Sequence, residues 1–497
     1  MSGKVFLVGA GPGDYKLITL KGMECIKKAD VIVYDRLANV RLLKNAKENC
    51  EFIYVGKKSS NHTKTQDEIN DIIMNKAKKG KVVTRLKGGD PYVFGRGGEE
   101  GEYLIKNGIE FEVVPGITSA IGGLCYAGIP ITHRDYASSF HVITGHLKEE
   151  NKELNWKSIA SLEGTLVFLM GISNLQNICT SLIKEGKDIN TKVAIINWAS
   201  TTKQRVVVGI LENIYEKAIR EKIESPSLIV VGEVVSLREK LNFFEKKPLF
   251  GKNIVVTRAR AQSSTLVDKI DSLGGNPIEI PSIKIEEILE RDELIEEIKN
   301  IEKYSYLIFT SRNAVKIFFK NLFKIGFDSR KLGSLKILSI GTGTSEELKN
   351  NGIVADIVPK KFLAESIVES LKDILSKDDK ILIPRAKETR EYLVDELSKV
   401  CKVKEVKIYE TVKMENNKEY VLNLLDSDAI DYITFTSSST VKNFIDIIGK
   451  ENIEKLKSTK LLSIGPITSR TIEDFNLKVY NEAEEYTIEG ILKVLQK

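Results

Sequence analysis

Three segments in the second half of this 497-residue chain occur twice at nearly one spacing. Tyr306-Leu-Ile-Phe-Thr-Ser-Arg-Asn-Ala-Val-Lys-Ile-Phe318 returns as Tyr432-Ile-Thr-Phe-Thr-Ser-Ser-Ser-Thr-Val-Lys-Asn-Phe444, 126 positions later. Lys336-Ile-Leu-Ser-Ile-Gly341 returns at Lys460–Gly465 after 124 positions, and Ile254–Ala259 at Ile381–Ala386 after 127. Each block is a short apolar run that enters a turn of Thr, Ser, Gly or Arg, the pattern of a buried strand feeding a helix. A repeat of this length is a duplicated supersecondary unit. It predicts two similar α/β lobes whose strand-to-helix turns gather at the carboxyl edges of their sheets, where open α/β folds bind ligands. The competing reading is a duplicated scaffold with an idle cleft.

At 497 residues the chain is too long for one ordinary core, and two to four domains are expected. Composition is that of a globular protein, 42% hydrophobic and 29% charged. No apolar run approaches the ~20 residues of a spanning helix, and Met1–Gly9 reads as a strand entering a glycine turn rather than a signal peptide. The cytoplasm is the expected location, with no membrane partner. The five cysteines (25, 50, 125, 179, 401) form no Cys-x-x-Cys pair, and His62, His133, His141 and His146 show no ligand spacing. Neither a disulfide frame nor a metal site is signalled. The net charge of +6 suits an anionic small substrate. No basic block with interleaved aromatics points to nucleic acid.

Residues 238–253, charged and proline-bearing, read as a short joint, with the main boundary near residue 248 and a fresh strand at Ile254–Val256. The first half alternates strands and helices: strands at Val5–Val8, Val31–Tyr34, Val82–Leu86, Phe111–Val114, His141–Thr144, Thr165–Leu169, Val193–Asn197 and Leu228–Val231. Thr65-Gln-Asp-Glu68 is a capping box, followed by Ile69, Ile72, Ile73 and Ala77 on one helix face and stopped by Gly80. This predicts an α/β fold on a largely parallel sheet.

Its densest motif is Arg85-Leu-Lys-Gly-Gly-Asp-Pro-Tyr-Val-Phe-Gly-Arg-Gly-Gly-Glu99. Gly88 and Gly89 allow close approach of backbone to a bound molecule, Asp90 is an acceptor, and Arg85, Lys87 and Arg96 are available to anions. Gly9-Ala-Gly-Pro-Gly-Asp14 also follows a strand, but Asp14 stands where G-x-G-x-x-G requires glycine. Asp35, about 20 residues on, keeps an NAD-dependent oxidoreductase as the alternative.

Together these motifs resemble uroporphyrinogen-III C-methyltransferase, of the tetrapyrrole methylase family. The resemblance runs from Val5 to about Leu237 through Gly9–Asp14, Tyr34-Asp-Arg-Leu, Val55-Gly-Lys, Arg85–Glu100, Val114-Pro-Gly-Ile-Thr-Ser-Ala, Tyr126-Ala-Gly-Ile-Pro-Ile-Thr-His-Arg, Thr144-Gly-His and Met170-Gly. It implies two α/β lobes with S-adenosylmethionine in the cleft between them, usually in a homodimer. By position the cofactor would meet Pro12, Gly88, Gly89, Asp90, Val93, Thr118, Ser119, Met170 and Ala199. Asn197-Trp-Ala-Ser departs from the family's usual Asn-Gly-Thr turn, with Trp198 the odd residue. The implied reaction methylates uroporphyrinogen III at C2 and then C7, giving precorrin-2. Asp35 would be the proton acceptor and Lys57 the donor. Arg36, Arg96, His133 and Arg134 would engage the substrate's carboxylates. The adjacent Asp35 and Arg36 also read as a simple ion pair, and His133-Arg134 as a solvated loop.

Residues 252–497 resemble uroporphyrinogen-III synthase through Val256-Thr-Arg, Phe309-Thr-Ser-Arg-Asn-Ala-Val, Ser339-Ile-Gly-Thr-Gly-Thr, Tyr409-Glu-Thr, Phe435-Thr-Ser-Ser-Ser-Thr-Val, Ile464-Gly-Pro-Ile-Thr and Tyr486-Thr-Ile-Glu-Gly. Arg385-Ala-Lys departs from the usual Arg-Gly, which puts that turn's ligand role in doubt. The family cyclises hydroxymethylbilane with inversion of ring D and loss of water. That task is mainly one of holding and orienting the substrate. Arg258, Ser311, Thr436, Ser437 and Thr468 are the expected substrate contacts. The family's crossing strands would be Ile280–Ile285 and Val406–Thr411, with Tyr409 facing the cleft as a proton donor or else buried in the linker. The expected organisation is a two-lobed methyltransferase domain at 1–245 and a duplicated synthase domain at 250–497, its lobes 252–282 with 408–497 and 283–407. The two would run consecutive steps towards sirohaem or cobalamin. A ligand-binding protein is the alternative for the second half.

Overall fold

The computed structural model describes residues 3–56, 64–145, 154–257, 260–281, 283–288, 292–359, 364–389, 391–413 and 418–497. They form two compact units, Met1–Lys252 with Ile270–Asn276, and Asn253–Lys269 with Pro277–Lys497.

The first unit contains two sheets. β1 (Val5–Gly9), β2 (Val31–Tyr34), β3 (Glu51–Tyr54), β4 (Val83–Lys87) and β5 (Phe111–Val114) lie in the order β3-β2-β4-β1-β5, every pair parallel. Val5, Leu7, Val31 and Val33 pack on one face, and Val8, Ile32 and Leu86 on the other. Both faces are therefore dry, as in a sheet whose crossovers are helices. One such crossover is Gln66–Lys78: the Thr65 hydroxyl accepts from the Glu68 amide, the Glu68 carboxylate accepts from the Thr65 amide at 2.6 Å, and Gly80 follows at φ +76°. The predicted capping box and stop are both present.

The second sheet comprises β6 (Phe140–Thr144), β7 (Thr165–Leu169), β8 (Lys192–Asn197), β9 (Arg205–Ile210) and β10 (Ser227–Val231) in the order β6-β7-β10-β8-β9. Only β6 and β7 are parallel; the other three pairs are antiparallel. The expectation of a largely parallel sheet thus holds for the first lobe and fails for the second. The turn from Asn197 to Arg205 is too short for the crossover that parallel neighbours require.

The second half of the chain builds β11 (Asn253–Val256), β12 (Asn276–Glu279), β13 (Ile283–Glu287), β14 (Tyr306–Phe309), β15 (Lys336–Ser339), β16 (Lys380–Ala386), β17 (Lys402–Lys413), β18 (Tyr432–Phe435), β19 (Lys460–Ser463) and β20 (Val479–Glu482). One sheet runs β12-β11-β18-β19-β20, the other β13-β17-β16-β14-β15. The repeat is exchanged between them. β11 of the first copy pairs in parallel with β18 of the second, while β16 of the second copy pairs in parallel with β14 of the first. Crossing strands Ile283–Glu287 and Lys402–Lys413 pair antiparallel in one sheet. Among the described residues no helix is long and apolar enough to cross a membrane.

Candidate functional site

Three turns leave the carboxyl edge of the first sheet and touch through glycine. Gly11 and Gly89 exchange backbone hydrogen bonds, Gly11 N to Gly89 O at 3.2 Å and Gly89 N to Gly11 O at 2.7 Å. A Cβ on Gly9 would stand 2.5 Å from the Gly116 Cα, and one on Gly116 2.3 Å from the Gly89 oxygen. Gly89 itself has φ +69°, which glycine adopts without strain. Asp90 ties the turns together. Its Oδ1 accepts from the amides of Tyr92 and Val93 at 2.8 and 3.2 Å, and its Oδ2 from Gly116 at 3.0 Å. The carboxylate expected to accept from a ligand thus accepts from three backbone amides and holds the loops together.

The second lobe closes on this edge. The space above Gly13 is filled by the Ala199 carbonyl and Thr201, that beside Gly122 by Pro12, and that beside Gly123 by the Ala199 Cβ. Tyr126 donates to Asp14 Oδ2 at 2.8 Å, and the Asp14 amide donates to Ser200. Burial, with the Asp14 carboxylate beside it, pushes the Tyr126 phenol well above its ordinary value. Asp14, the residue that spoiled the dinucleotide fingerprint, is thus a lobe-to-lobe acceptor. A 3-10 turn at Tyr15–Leu17 separates it from the helix Leu20–Lys28. The glycine loop therefore does not open a helix as the NAD alternative requires. Thr118 caps the helix Ser119–Tyr126, and Val93 packs against the cluster holding Ala120 and Ala199.

The structure therefore brings together Pro12, Gly88, Gly89, Asp90, Val93, Thr118, Ser119 and Ala199. Met170 stands exposed at the end of β7 with φ +56°. His133 and Arg134 form a separate turn closed by His133–Ala137 backbone bonds, without a hydrogen bond to the glycine turns among the described residues. Arg96 is exposed and paired with Glu99. The Arg36 guanidinium lies 5.6 Å from the centre of the Trp198 ring, so it is not the partner of Asp35. Trp198 holds φ +46° and receives Lys203 at 5.9 Å as well.

Asp35 is bound instead to Arg85. The Arg85 Nη2 donates to Asp35 Oδ2 at 3.1 Å and the Leu37 amide to Oδ1 at 3.0 Å. Arg85 and Lys87 do not meet solvent anions: their side chains are 5% and 6% exposed and both point at Glu100, 1% exposed. Lys87 Nζ donates to Glu100 Oε1 at 2.8 Å, Arg85 Nε at 3.3 Å and Gln66 Nε2 at 3.1 Å. Burial first, then the Arg85 charge, lowers the Lys87 ammonium's hold on its proton, with Glu100 opposing. Sequence reasoning missed Glu100. It lies with Gly97, Gly101 and Leu104 on the buried face of Gly97–Lys106, an acid in an otherwise apolar helical stripe. Lys57 lies outside the described residues.

In the second half, Ser311 caps the helix Arg312–Lys324, and its hydroxyl is 2.8 Å from the Tyr409 hydroxyl. Tyr409 is mostly buried. Its ring is 6% exposed in a core with Phe309 and Ile408, and only the phenol reaches the strand-to-helix turn. At the matching end of the other sheet, Ser437 caps Ser438–Ile448 beside Thr436, and Thr468 is buried in Pro466–Glu473. The two helix starts are joined through Ser438, which donates to Ile467 O at 3.2 Å and accepts from Thr471 at 2.8 Å. Arg385 is 2% exposed and held by Glu405 at 2.9 Å, a structural pair rather than a ligand. Arg258 lies outside the described residues.

Residues 4–215 match the family model of tetrapyrrole (corrin/porphyrin) methylases, and residues 264–493 that of uroporphyrinogen-III synthase HemD. The porphyrin biosynthesis protein HemD of Ruminiclostridium josui is 41% identical over 495 residues, 99% of this chain and 97% of that protein. The uroporphyrinogen-III C-methyltransferase of Priestia megaterium is 53% identical over 235 residues, 47% of this chain and 99% of that protein. A solved uroporphyrin-III C-methyltransferase from Thermus thermophilus, complexed with S-adenyl homocysteine, is 41% identical, covering 47% of this chain and 100% of its own, with a TM-score of 0.41.

Proposed function

Because the chain belongs to the tetrapyrrole methylase family in its first half and to the uroporphyrinogen-III synthase family in its second, we propose that it carries out two consecutive steps on one tetrapyrrole. A synthase domain at 250–497 closes hydroxymethylbilane to uroporphyrinogen III with inversion of ring D. A methyltransferase domain at 1–245, working as a homodimer, then methylates that product at C2 and C7 to precorrin-2.

The observation that carries the first half of this reading is the glycine junction of Gly9, Gly89 and Gly116 beside Pro12 and Ala199. There three turns meet backbone to backbone at the carboxyl edge of the sheet, the edge at which open α/β folds bind ligands, and in this reading S-adenosylmethionine lies beside them. When bound, S-adenosylmethionine would supply a sulfonium methyl to a pyrrole carbon, the S–C electron pair staying on sulfur, and the macrocycle would then shed one proton. In this reading Asp35, one quarter exposed at the end of β2, takes that proton. Lys57 follows from family position alone. Arg36 and Arg96 are exposed cations for the substrate's carboxylates, and His133 and Arg134 extend this set by resemblance.

In the second half, Ser311, Thr436, Ser437 and Thr468 lie at helix starts that suit carboxylates, and Arg258 joins them by family position. Tyr409 donates a proton to the departing hydroxyl, its phenol oriented by Ser311. Tyr409→Phe is expected to lower the rate of III-isomer formation by roughly tenfold to a hundredfold. Isomer analysis checks this, and formation of the III isomer at full rate would remove the role. The whole reading is tested by supplying hydroxymethylbilane with and without S-adenosylmethionine. Uroporphyrinogen III alone is expected without the donor and a dimethylated product with it. No methylated product refutes the first half of the reading, and no III isomer the second.

A further inference from the structure

Under the carboxyl edge of the first sheet lies a chain of four ionisable groups: Asp35, Arg85, Glu100 and Lys87. Only Asp35 reaches solvent, at 26% side-chain exposure. Arg85 bridges the two acids, with Nη2 on Asp35 and Nε on Glu100, while Nη1 donates to the Leu86 carbonyl at 3.0 Å. Glu100 Oε1 takes Arg85, Lys87 and Gln66, and Gln66 also reaches Asn70 at 3.0 Å. Glu100 Oε2 is buried and without a hydrogen-bond partner. Other charges near this network are Asp67 on Gln66–Lys78 and the Arg96–Glu99 pair, all exposed, and Arg36, which is turned to Trp198.

As stabilising elements these groups are poorly arranged. Two cations and a carboxylate taken out of water repay their desolvation only when every polar atom is partnered, and apolar residues of similar size often do better. An orphaned carboxylate oxygen adds to that cost. The same groups stand directly behind Asp35. A carboxylate bound to one guanidinium alone is a weak base. Here Glu100 draws on the same guanidinium from its other side, and Lys87 restores one positive charge.

We infer that Glu100 and Lys87 are positioning residues for methyl transfer: they fix through Arg85 the net charge of +1 beneath Asp35 and so set how readily its carboxylate takes the substrate's proton. This rests on the reading of Asp35 as the proton acceptor.

The inference makes opposite demands on two variants. Glu100→Gln leaves +2 beneath Asp35, and the acid limb of kcat/KM for methylation moves down by about one pH unit. Lys87→Met leaves zero, and the limb moves up by a similar amount. The double variant restores +1 and returns the limb to its wild-type position. A role confined to folding would lower activity in all three without moving the limb in opposite senses. The experiment is the pH profile of methylation of supplied uroporphyrinogen III by the full chain, alongside thermal melts. Lys87→Met swaps a buried amine for an apolar chain of like length and carries the test if Glu100→Gln does not fold. A limb unmoved in a folded Lys87→Met, or shifts of the same sign in both variants, overturns the inference. Asp35→Asn run beside them separates the two ideas. If its acid limb persists, the acceptor reading fails; if it vanishes while the Glu100 and Lys87 variants leave the limb in place, only the network proposal fails.

Discussion

Asp35→Asn is expected to slow methyl transfer by a factor of about 10²–10⁴, the usual contribution of a positioned general base. The change is nearly isosteric and keeps the acceptor that the Leu37 amide uses at 3.0 Å. It removes the anion facing Arg85 at 3.1 Å, leaving a buried guanidinium with Glu100 as its one acid partner. A loss of stability of about 1–3 kcal/mol is therefore expected as well. Binding of S-adenosylhomocysteine should be unchanged, because the glycine junction does not use Asp35. Formation of uroporphyrinogen III should also be unchanged. Turnover and calorimetric binding on one preparation distinguish the cases: wild-type turnover with intact binding ends the proton-acceptor role.

The second large effect is steric. In Gly116→Ala the new methyl would lie 2.3 Å from the Gly89 carbonyl oxygen and 2.7 Å from the Gly9 Cα. Both are backbone atoms, so no side chain can turn aside and the three turns must separate. The Gly116–Asp90 hydrogen bond is stretched at the same point. We expect a cost of about 3 kcal/mol, at the upper end of overpacking, and at least a tenfold rise in the Kd for S-adenosylhomocysteine. Gly98→Ala is the matched control: its Cβ would meet nothing within 4 Å, on an exposed helical site. It should be neutral or stabilising by a few tenths of a kcal/mol. Equal binding by both variants would show that contact between the turns is not what shapes the site.

Strands with apolar residues on both faces, such as β2 and β7, were legible at their observed bounds, because burial on both faces leaves a continuous apolar run. β3 and β9 were missed. Both are edge strands with polar residues among the apolar ones, Glu51 and Arg205 at their starts. The direction of β8, β9 and β10 could not be read from apolar runs, which look alike parallel or antiparallel; the short turn between β8 and β9 was the available signal. At the site, the cluster around Gly89 was visible as a motif. The use of its charges was not. Arg85 and Lys87 look like anion receptors until the helix behind them supplies Glu100. A charge's partner depends on what packs against its strand, which local sequence does not carry.

The exchange of strands between the two copies in the second half bears on how this protein is made. The Asn253 amide bonds to Asp431, 178 residues further on. At about 5–20 residues per second, β11 waits roughly nine to thirty-six seconds for β18 to be synthesised. Meanwhile Ile254, Val255 and Val256, all fully buried in the finished sheet, have no partner strand on that side. A nascent chain halted between β11 and β18 would hold an unpaired apolar strand, a target for holdase chaperones and for misassembly with a neighbouring copy. In the first half the wait is shorter, since β1 is joined by β4 and β5 within its first 114 residues.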